Sequence, residues 1–263
     1  MRDIQKDQDT RGVLIHEVGV SDVMTPLQVV AMDGSLVSTV AKMSMGVELP
    51  ATVKGTHMSR FLESIQQTGT TLNPSDTAQL GEVICKRLEA ESCQIAWQFP
   101  YFIERLAPVS GRPSQVNYEV ELTSNYSAEH GEERSGVKLI VPVATLCPCS
   151  KEISSYGAHN QRGYVELSWD WKKGSSRLHF QQVIDAIETC GSAPLINLLK
   201  RPDEKFVTEQ AYDNPVFVED LIRNVVVKLG DFADAIGSYA VRVTNHESIH
   251  THNAYAVVRG TFN

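Results

Sequence analysis

Residues 37–49 read VSTVAKMSMGVEL, in which every second position, starting at residue 37, carries an apolar residue or a threonine. Successive side chains of a strand point to opposite faces of a sheet, so this alternation predicts a long strand with one buried face. Residues 26–33 precede it, and the Asp33-Gly34 pair is a typical hairpin turn. The two runs are therefore predicted to form an antiparallel hairpin.

The pattern after this hairpin changes to a helical one. Phe61, Leu62 and Ile65 share one face of a predicted helix over residues 59–67, and a second helix is predicted after Pro74. Further strands are predicted over 93–106, 114–126, 137–146 and 163–171, helices over 179–189 and from Asn214 onward, and final strands over 237–247 and 253–262. Asn214 is the expected N-cap of the last helix, with Pro215 at its first position.

Hairpins followed by paired helices thus occur twice along the chain. This order predicts an α+β fold of two tandem ββαα-type units that share an extended antiparallel sheet. We expect a polar, flexible N-terminal segment at residues 1–20, a first unit at 21–130 and a second unit at 131–263.

Composition limits the classes of function. The chain of 263 residues carries a formal net charge of −8, which argues against nonspecific nucleic-acid binding. No signal peptide or membrane-spanning run is visible, so we expect a cytoplasmic protein without a membrane partner. Five cysteines form an odd, scattered set, which is typical of reduced thiols rather than a disulfide framework.

The most chemically suggestive segment is LCPCSKE at residues 146–152, with His159 shortly after it. Thiolate sulfur and imidazole nitrogen are favoured ligands of zinc and similar metals. Two thiolates at i and i+2 seldom bind one metal from an extended segment, so we assign one cysteine to a metal and the other to the reacting centre. The alternative is that Cys147 and Cys149 are simply small buried apolar residues.

Other candidates are weaker on spacing alone. His246 follows a predicted strand in a segment, 245–253, that holds three histidines. Its imidazole is suited to proton transfer or phosphate binding, and the alternative is that the segment is only a polar hairpin loop. Residues 201–215 are predicted to be an acidic, solvated connection between helices. Glu219 lies early in the last predicted helix, where the helix dipole alone explains a carboxylate. Residues 54–60 are predicted to begin a helix, and their amides and cations would suit an anion.

Several segments together closely resemble the prokaryotic type IB GTP cyclohydrolase I family, over nearly the whole chain after residue 20. The segments that carry the resemblance are STVA at 38–41, GTHMSRF at 55–61, LCPCSKEIS at 146–154, YGAHNQR at 156–162 and NPVFVED at 214–220. The resemblance implies a tunnelling fold in a homotetramer. It also implies conversion of GTP and water to formate and 7,8-dihydroneopterin triphosphate, the first step of folate biosynthesis, with a divalent metal ion (Zn, Mn or Fe(II)).

The resemblance further implies roles for individual residues. Cys147, His159 and an acidic residue, Glu204 in preference to Glu209, are the expected metal ligands for activating the water that attacks C8 of the purine. Cys149 and His246 are the expected groups at C8 and in proton transfer during ring opening.

Substrate binding is expected to use a carboxylate and several cations. Glu219 is the candidate for the guanine N1–H and 2-amino donors, since one carboxylate accepts both in a fork. Arg60, His57 and Arg162, with Lys54 nearby in sequence, are candidates for the triphosphate.

Three alternatives stay open at this point. A relative of the same fold makes a cyclic phosphate of dihydroneopterin, and a nitrile reductase of the same fold uses a strand-end cysteine with a nicotinamide cofactor. A non-catalytic purine- or pterin-binding oligomer would keep Glu219 without any need of Cys147 or His159.

Overall fold

The computed structural model describes residue 5, residues 7–74 and residues 76–262, except for the side chain of Glu133. Its strands are β1 (Ile15–Val30), β2 (Leu36–Leu49), β3 (Thr71–Leu72), β4 (Ser92–Leu106), β5 (Pro113–Ser127), β6 (Gly131–Leu146), β7 (Asn160–Trp171), β8 (Ile236–His246) and β9 (Ala254–Thr261). Its helices are α1 (Met58–Thr68), α2 (Ala78–Leu88), α3 (Pro148–Ile153), α4 (Phe180–Glu188), α5 (Arg201–Asp213) and α6 (Val218–Leu229).

The chain divides into two compact units. The first unit comprises the chain up to Pro100 together with Glu121–Val137, and the second comprises Tyr101–Val120 and the chain from Lys138 onward. The tandem division predicted at residue 130 stays a prediction. The expected flexible segment falls partly on residues 1–4 and 6, which lie outside the described residues, and β1 already begins at Ile15.

The predicted hairpin is confirmed in the first unit. Strands β1 and β2 pair antiparallel, with Val29 opposite Val37 and Thr25 opposite Ala41. Gly34 takes a φ of 83° in the turn, a conformation that glycine adopts without a steric penalty. Burial alternates along β2 as the sequence predicts, and β4 continues the sheet on the far side of β2.

The two predicted helices of this unit are confirmed as α1 and α2. They lie in contact, and each buries one apolar stripe. Phe61 and Ile65 are buried on α1, and Leu80 and Ile84 on α2, at the four-residue spacing that places both members of each pair on one face of the helix.

In the second unit, strands β6 to β9 follow one another in the sheet, and β7–β8 and β8–β9 pair antiparallel. Helix α6 packs on β8 and β9 and also contacts α4. Its buried stripe of Leu221, Val225 and Leu229 is the one the sequence predicts. No helix in the described part of the chain is both long and apolar enough to cross a membrane.

Two sequence-based expectations about this unit are wrong. Residues 201–215 are not a solvated loop, because 201–213 form helix α5. Asn214 therefore follows α5 instead of capping the next helix, which begins only at Val218. Asp220 accepts a hydrogen bond from the backbone N–H of Phe217 at 3.2 Å and so marks the true start of α6.

The start of α5 depends on Asp203, which is fully buried. Its carboxylate accepts hydrogen bonds from the backbone N–H of Lys200 at 2.9 Å, from those of Val109 and Ser110 at 2.8 Å each, and from the Ser110 hydroxyl at 2.7 Å. Desolvation would raise the pKa of Asp203, but these hydrogen bonds outweigh it and hold that pKa well below its usual range. Asp203 thereby fixes the first turn of α5 to the loop after β4.

A partly buried ionic network holds α4 against β4 and β5. Arg105 Nη2 lies 2.6 Å from Asp185 and 2.8 Å from Glu188, while Arg105 Nε donates to the Tyr118 hydroxyl at 3.2 Å. Tyr118 donates in turn to Glu188. Burial raises the pKa of Glu188, and the nearby Tyr118 hydroxyl and Arg105 charge oppose this shift without cancelling it.

Removing the cation of this network is expected to destabilise the fold. Arg105→Met leaves Glu188 and Tyr118 without their shared donor in a buried setting, at a cost of about 2 kcal/mol in the free energy of unfolding. The control is Arg87→Met, which removes an ion pair to Glu63 that is partly exposed on both sides and should cost less than about 1 kcal/mol. Urea unfolding measures both, and equal losses would contradict the prediction.

Candidate active site

A cavity of about 290 Å³ opens in the second unit. It lies beside the start of α6, at the edge of the sheet where β6 and β8 end and β7 begins. The side chains that line it include one thiol, three imidazoles, two carboxylates and two amides, namely Cys147, His159, His250, His252, Glu219, Glu247, Gln161 and Asn245. A cavity with converging polar groups of this kind is where ligand binding and chemistry are expected.

Cys147 reaches the cavity because β6 ends directly before it. Leu146 is the last residue of the strand, and its backbone groups bond outside the ladder: its N–H to Ser192 Oγ at 3.0 Å and its carbonyl to the N–H of Val216 at 3.0 Å. Pro148 then begins the short helix α3, where the sequence predicts a loop. The thiol of Cys147 is left half-buried at the cavity wall.

Backbone and hydroxyl contacts hold His159 beside Cys147. The Cys147 N–H donates to the His159 carbonyl at 3.1 Å. Ser150 connects the same two residues, because its hydroxyl donates to the Cys147 carbonyl at 3.1 Å and accepts from the His159 N–H at 3.2 Å. The loop between them turns at Gly157, whose φ is 70°. The predicted pairing of this thiol and imidazole in one site is thus present in the geometry.

The orientation of the His159 ring suits metal binding. Its Nδ1 lies 3.1 Å from Gln161 Oε1, and a hydrogen bond there requires Nδ1 to carry the proton. In that tautomer of the neutral ring the other nitrogen, Nε2, carries a lone pair that can bind a metal ion. Imidazole ligands of metals are usually oriented by such a second hydrogen bond. Sulfur from Cys147 and nitrogen from His159 together form half of a typical tetrahedral zinc set.

The described residues do not assemble a complete metal site within this chain. No group of three or more His, Cys, Asp or Glu side chains among them is arranged to hold a metal ion. Glu204, the predicted third ligand, is an exposed residue in the first turn of α5 and does not line the cavity. Cys149 is exposed on α3. The assignment of Glu204 as a metal ligand and of Cys149 as the reacting thiol stays a prediction.

Helices α3 and α5, which carry Cys149 and Glu204, are connected through Lys151. The Lys151 ammonium donates to the Tyr212 carbonyl at 2.5 Å and lies 4.3 Å from the centre of the Tyr212 ring. A cation at the carbonyl end of α5 is also favourable to the helix dipole. The two predicted site residues are therefore carried by elements in direct contact.

Glu219 lies in the first turn of α6 and faces the cavity. No hydrogen bond or ion pair to this carboxylate is present in the described part of the chain, so it is free to accept donors from a ligand. The structure thus brings Glu219 together with Cys147 and His159, as the predicted substrate site requires.

The remaining predicted residues lie elsewhere. His246 is exposed at the end of β8, directly opposite Arg162 on β7, and its ring centre is 4.8 Å from that of Tyr164. His57 and Arg60 belong to the first unit, at the start of α1. Arg60 donates there to the backbone carbonyl of Arg87 at 3.0 Å.

Of the lining residues that were not predicted individually, four polar ones lie close together in sequence. Asn245, Glu247, His250 and His252 all come from the end of β8 and the loop after it. The rings of His250 and His252 stack with centres 5.0 Å apart. The sequence signal for this group is the cluster of three histidines in residues 245–253, of which only His246 is a predicted site residue.

The chain is similar to a known protein family over almost its whole length. The family model described as type I GTP cyclohydrolase FolE2 matches residues 1–256. The chain is 43% identical over 258 residues to GTP cyclohydrolase FolE2 of Akkermansia muciniphila, covering 98% of this chain and 97% of that protein. It is 45% identical over 261 residues to GTP cyclohydrolase FolE2 of Bordetella avium, covering 99% and 96%.

Among solved structures, the fold is similar to that of uricases. The uricase of Bacillus fastidious matches with a TM-score of 0.53 at 7% identity, covering 96% of this chain and 94% of that one. The uricase of Arthrobacter globiformis gives 0.51 at 7% identity, covering 97% and 93%. These neighbours confirm the predicted α+β tunnelling fold. The family match and the relatives' identities show that the chain belongs to the type I GTP cyclohydrolase FolE2 family.

Proposed function

We propose that the cavity beside α6 is the active site of a GTP cyclohydrolase I, which converts GTP and water to formate and 7,8-dihydroneopterin triphosphate at the start of folate biosynthesis. The observation that carries the proposal is the presence of Cys147, His159 and Glu219 in one cavity. The first two suit a metal, and the third suits a guanine ring. Relatives that carry this name over almost their whole length support the same reaction.

Cys147 and His159 are the proposed protein ligands of a divalent metal ion, with Glu204 as the proposed third ligand. The metal, when bound, supplies an activated water molecule at neutral pH. Support for the first two ligands is the close backbone pairing of Cys147 with His159 and the orienting contact of Gln161 with the His159 ring. The choice among zinc, manganese and iron(II) is left to the experiment below.

Glu219 is the proposed anchor of the guanine ring. A carboxylate offers two acceptor oxygens in one plane, which match the parallel N–H groups at N1 and at the 2-amino nitrogen. Because Glu219 has no other described partner, no internal hydrogen bond is broken when it binds the ring. Anchoring the ring fixes the position of C8 relative to the rest of the cavity wall.

Proton transfer is the proposed role of His246 and Cys149. Opening the five-membered ring of the purine and releasing formate require protons to be delivered to nitrogen and removed from oxygen. Imidazole titrates near neutral pH and suits both steps. His246 lies one residue beyond cavity-lining Asn245, opposite Arg162. Arg162, Arg60 and His57 are the proposed cations for the triphosphate.

The assembly and location are also proposals. We infer a cytoplasmic homotetramer from the resemblance to type IB cyclohydrolases and from the reduced cysteine set. A second copy of the chain could supply donors that one copy does not bring to the cavity, and tunnelling folds commonly place such sites between subunits.

The function is tested by turnover of GTP. The full-length protein, depleted of metal and then loaded separately with Mn²⁺, Zn²⁺ or Fe²⁺, is expected to release formate and 7,8-dihydroneopterin triphosphate in equal amounts. Formate is measured enzymatically, and the pterin by fluorescence after oxidation. Activity should disappear with a chelator and return with the preferred metal.

Two outcomes would contradict the proposal. A cyclic phosphate product would indicate the related reaction on the same fold. A folded, GTP-binding oligomer that gives neither formate nor pterin with any of the metals would indicate a binding protein.

A further inference from the structure

Asn245 is a buried polar residue in the wall of the cavity. It is the penultimate residue of β8 and only 2% exposed. Its Oδ1 is buried and has no hydrogen-bond partner among the described residues. Most buried polar atoms in proteins are hydrogen-bonded, and an unpaired one is costly. An unpaired amide at a ligand cavity therefore suggests that the partner arrives with the ligand.

The surroundings of Asn245 provide space for its amide without a fixed partner. Gly163 lies directly opposite on β7. A Cβ at Gly163 would lie 2.9 Å from Asn245 Oδ1 and 3.3 Å from methyl carbons of Thr145 and Val143. The amide thus occupies a space that exists only because residue 163 lacks a side chain. Methyl groups of Thr145 and Val143 line part of this space.

The guanine ring has one donor more than Glu219 can accept. Its Watson–Crick edge carries the N1–H and two hydrogens on the 2-amino nitrogen. A carboxylate fork takes the N1–H and one amino hydrogen, and the second amino hydrogen points away from the fork. If this hydrogen met only apolar wall, the bound ring would lose a hydrogen bond that it has in water.

We propose that Asn245 is a specificity residue that accepts a hydrogen bond from the second 2-amino hydrogen of the guanine ring. A change of side-chain rotamer turns Oδ1 from the space over Gly163 into the cavity, where the ligand supplies the partner that Oδ1 lacks, and β8 does not move. The inference rests on the proposed function, because it requires Glu219 to hold the same ring. It gives the site a means of selecting guanine over hypoxanthine, which lacks the amino group.

The test compares GTP with ITP, which differs only by the absence of the 2-amino group. Equilibrium binding of both nucleotides to the full-length protein is measured in a chelator, which prevents turnover. Asn245→Ala is expected to reduce the preference for GTP over ITP by about tenfold, with ITP affinity changed by less than about twofold. Glu219 keeps part of the preference, since it also contacts the amino group.

A second variant perturbs the amide from outside the cavity. Gly163→Ala adds a methyl group against Asn245 Oδ1 and changes no group that lines the cavity, so it should also lower the GTP preference. Asn197→Ala removes an amide that bonds to the Gln115 carbonyl, and because neither residue lines the cavity it should leave the preference unchanged. Thermal unfolding of each variant verifies that the fold is intact.

The outcomes separate this inference from the function on which it rests. If Asn245→Ala weakens the binding of GTP and of ITP equally, or if a folded variant keeps the wild-type preference for GTP, the proposed role of Asn245 is overturned. GTP turnover by the wild type would still uphold the proposed function. A wild type that neither binds nor converts GTP overturns both.

Discussion

Cys147→Ala is expected to lower kcat/KM for GTP by about a thousandfold or more, together with loss of bound metal. The reason is that Cys147 supplies the sulfur of the proposed ligand set, and the His159 nitrogen and Glu204 carboxylate that remain are too few to hold a divalent ion tightly. Metal content by mass spectrometry and GTP turnover are measured on the same preparation. Nucleotide binding should persist, because Glu219 is untouched.

Cys190→Ala is the matched control for this prediction. Cys190 is a buried cysteine of the same unit that does not line the cavity, so its replacement should leave metal content and turnover close to the wild type. Cys149→Ala adds a second comparison: it should keep the metal yet lose activity if that thiol acts at C8. A Cys147→Ala protein that retains both metal and turnover would exclude Cys147 as a ligand.

The fold was largely predictable because its strands alternate clearly. In β2 the buried positions are those that carry apolar residues, and one face of the strand must lie against the helices. The start of α5 was not predictable in the same way. Its burial pattern is weak, and its first turn depends on hydrogen bonds from Val109 and Ser110 to Asp203, which lie more than ninety residues apart in sequence.

Part of the site was predictable for a chemical reason. A thiol and an imidazole near a strand end favour a metal site, so residue type and spacing indicate the segment from Cys147 to His159, and the family resemblance implies Cys147 as the metal-binding thiol. Asn245 gave no such signal. Its importance comes from burial without a partner and from the missing side chain at Gly163, and both depend on the pairing of β7 with β8.

Glu219→Gln is the second change with a large expected effect, a loss of about a hundredfold in kcat/KM for GTP. A glutamine keeps the size of the side chain but presents an N–H₂ group where the guanine ring also presents donors. One of the two hydrogen bonds is then replaced by a contact between two donors, and the charge assistance is lost from the other. GTP affinity, measured in chelator, should fall in parallel with kcat/KM.

The loss must come from substrate binding rather than from the metal or the fold. Metal content of Glu219→Gln should equal that of the wild type, in contrast to Cys147→Ala. Stability should fall by less than about 1 kcal/mol, the usual contribution of a carboxylate in the first turn of a helix. Glu166→Gln, a carboxylate on β7 outside the cavity, is the matched control and should keep its activity. If Glu219→Gln lost activity with unchanged GTP affinity, the carboxylate would act in catalysis, and the guanine anchor would have to be sought elsewhere on the cavity wall.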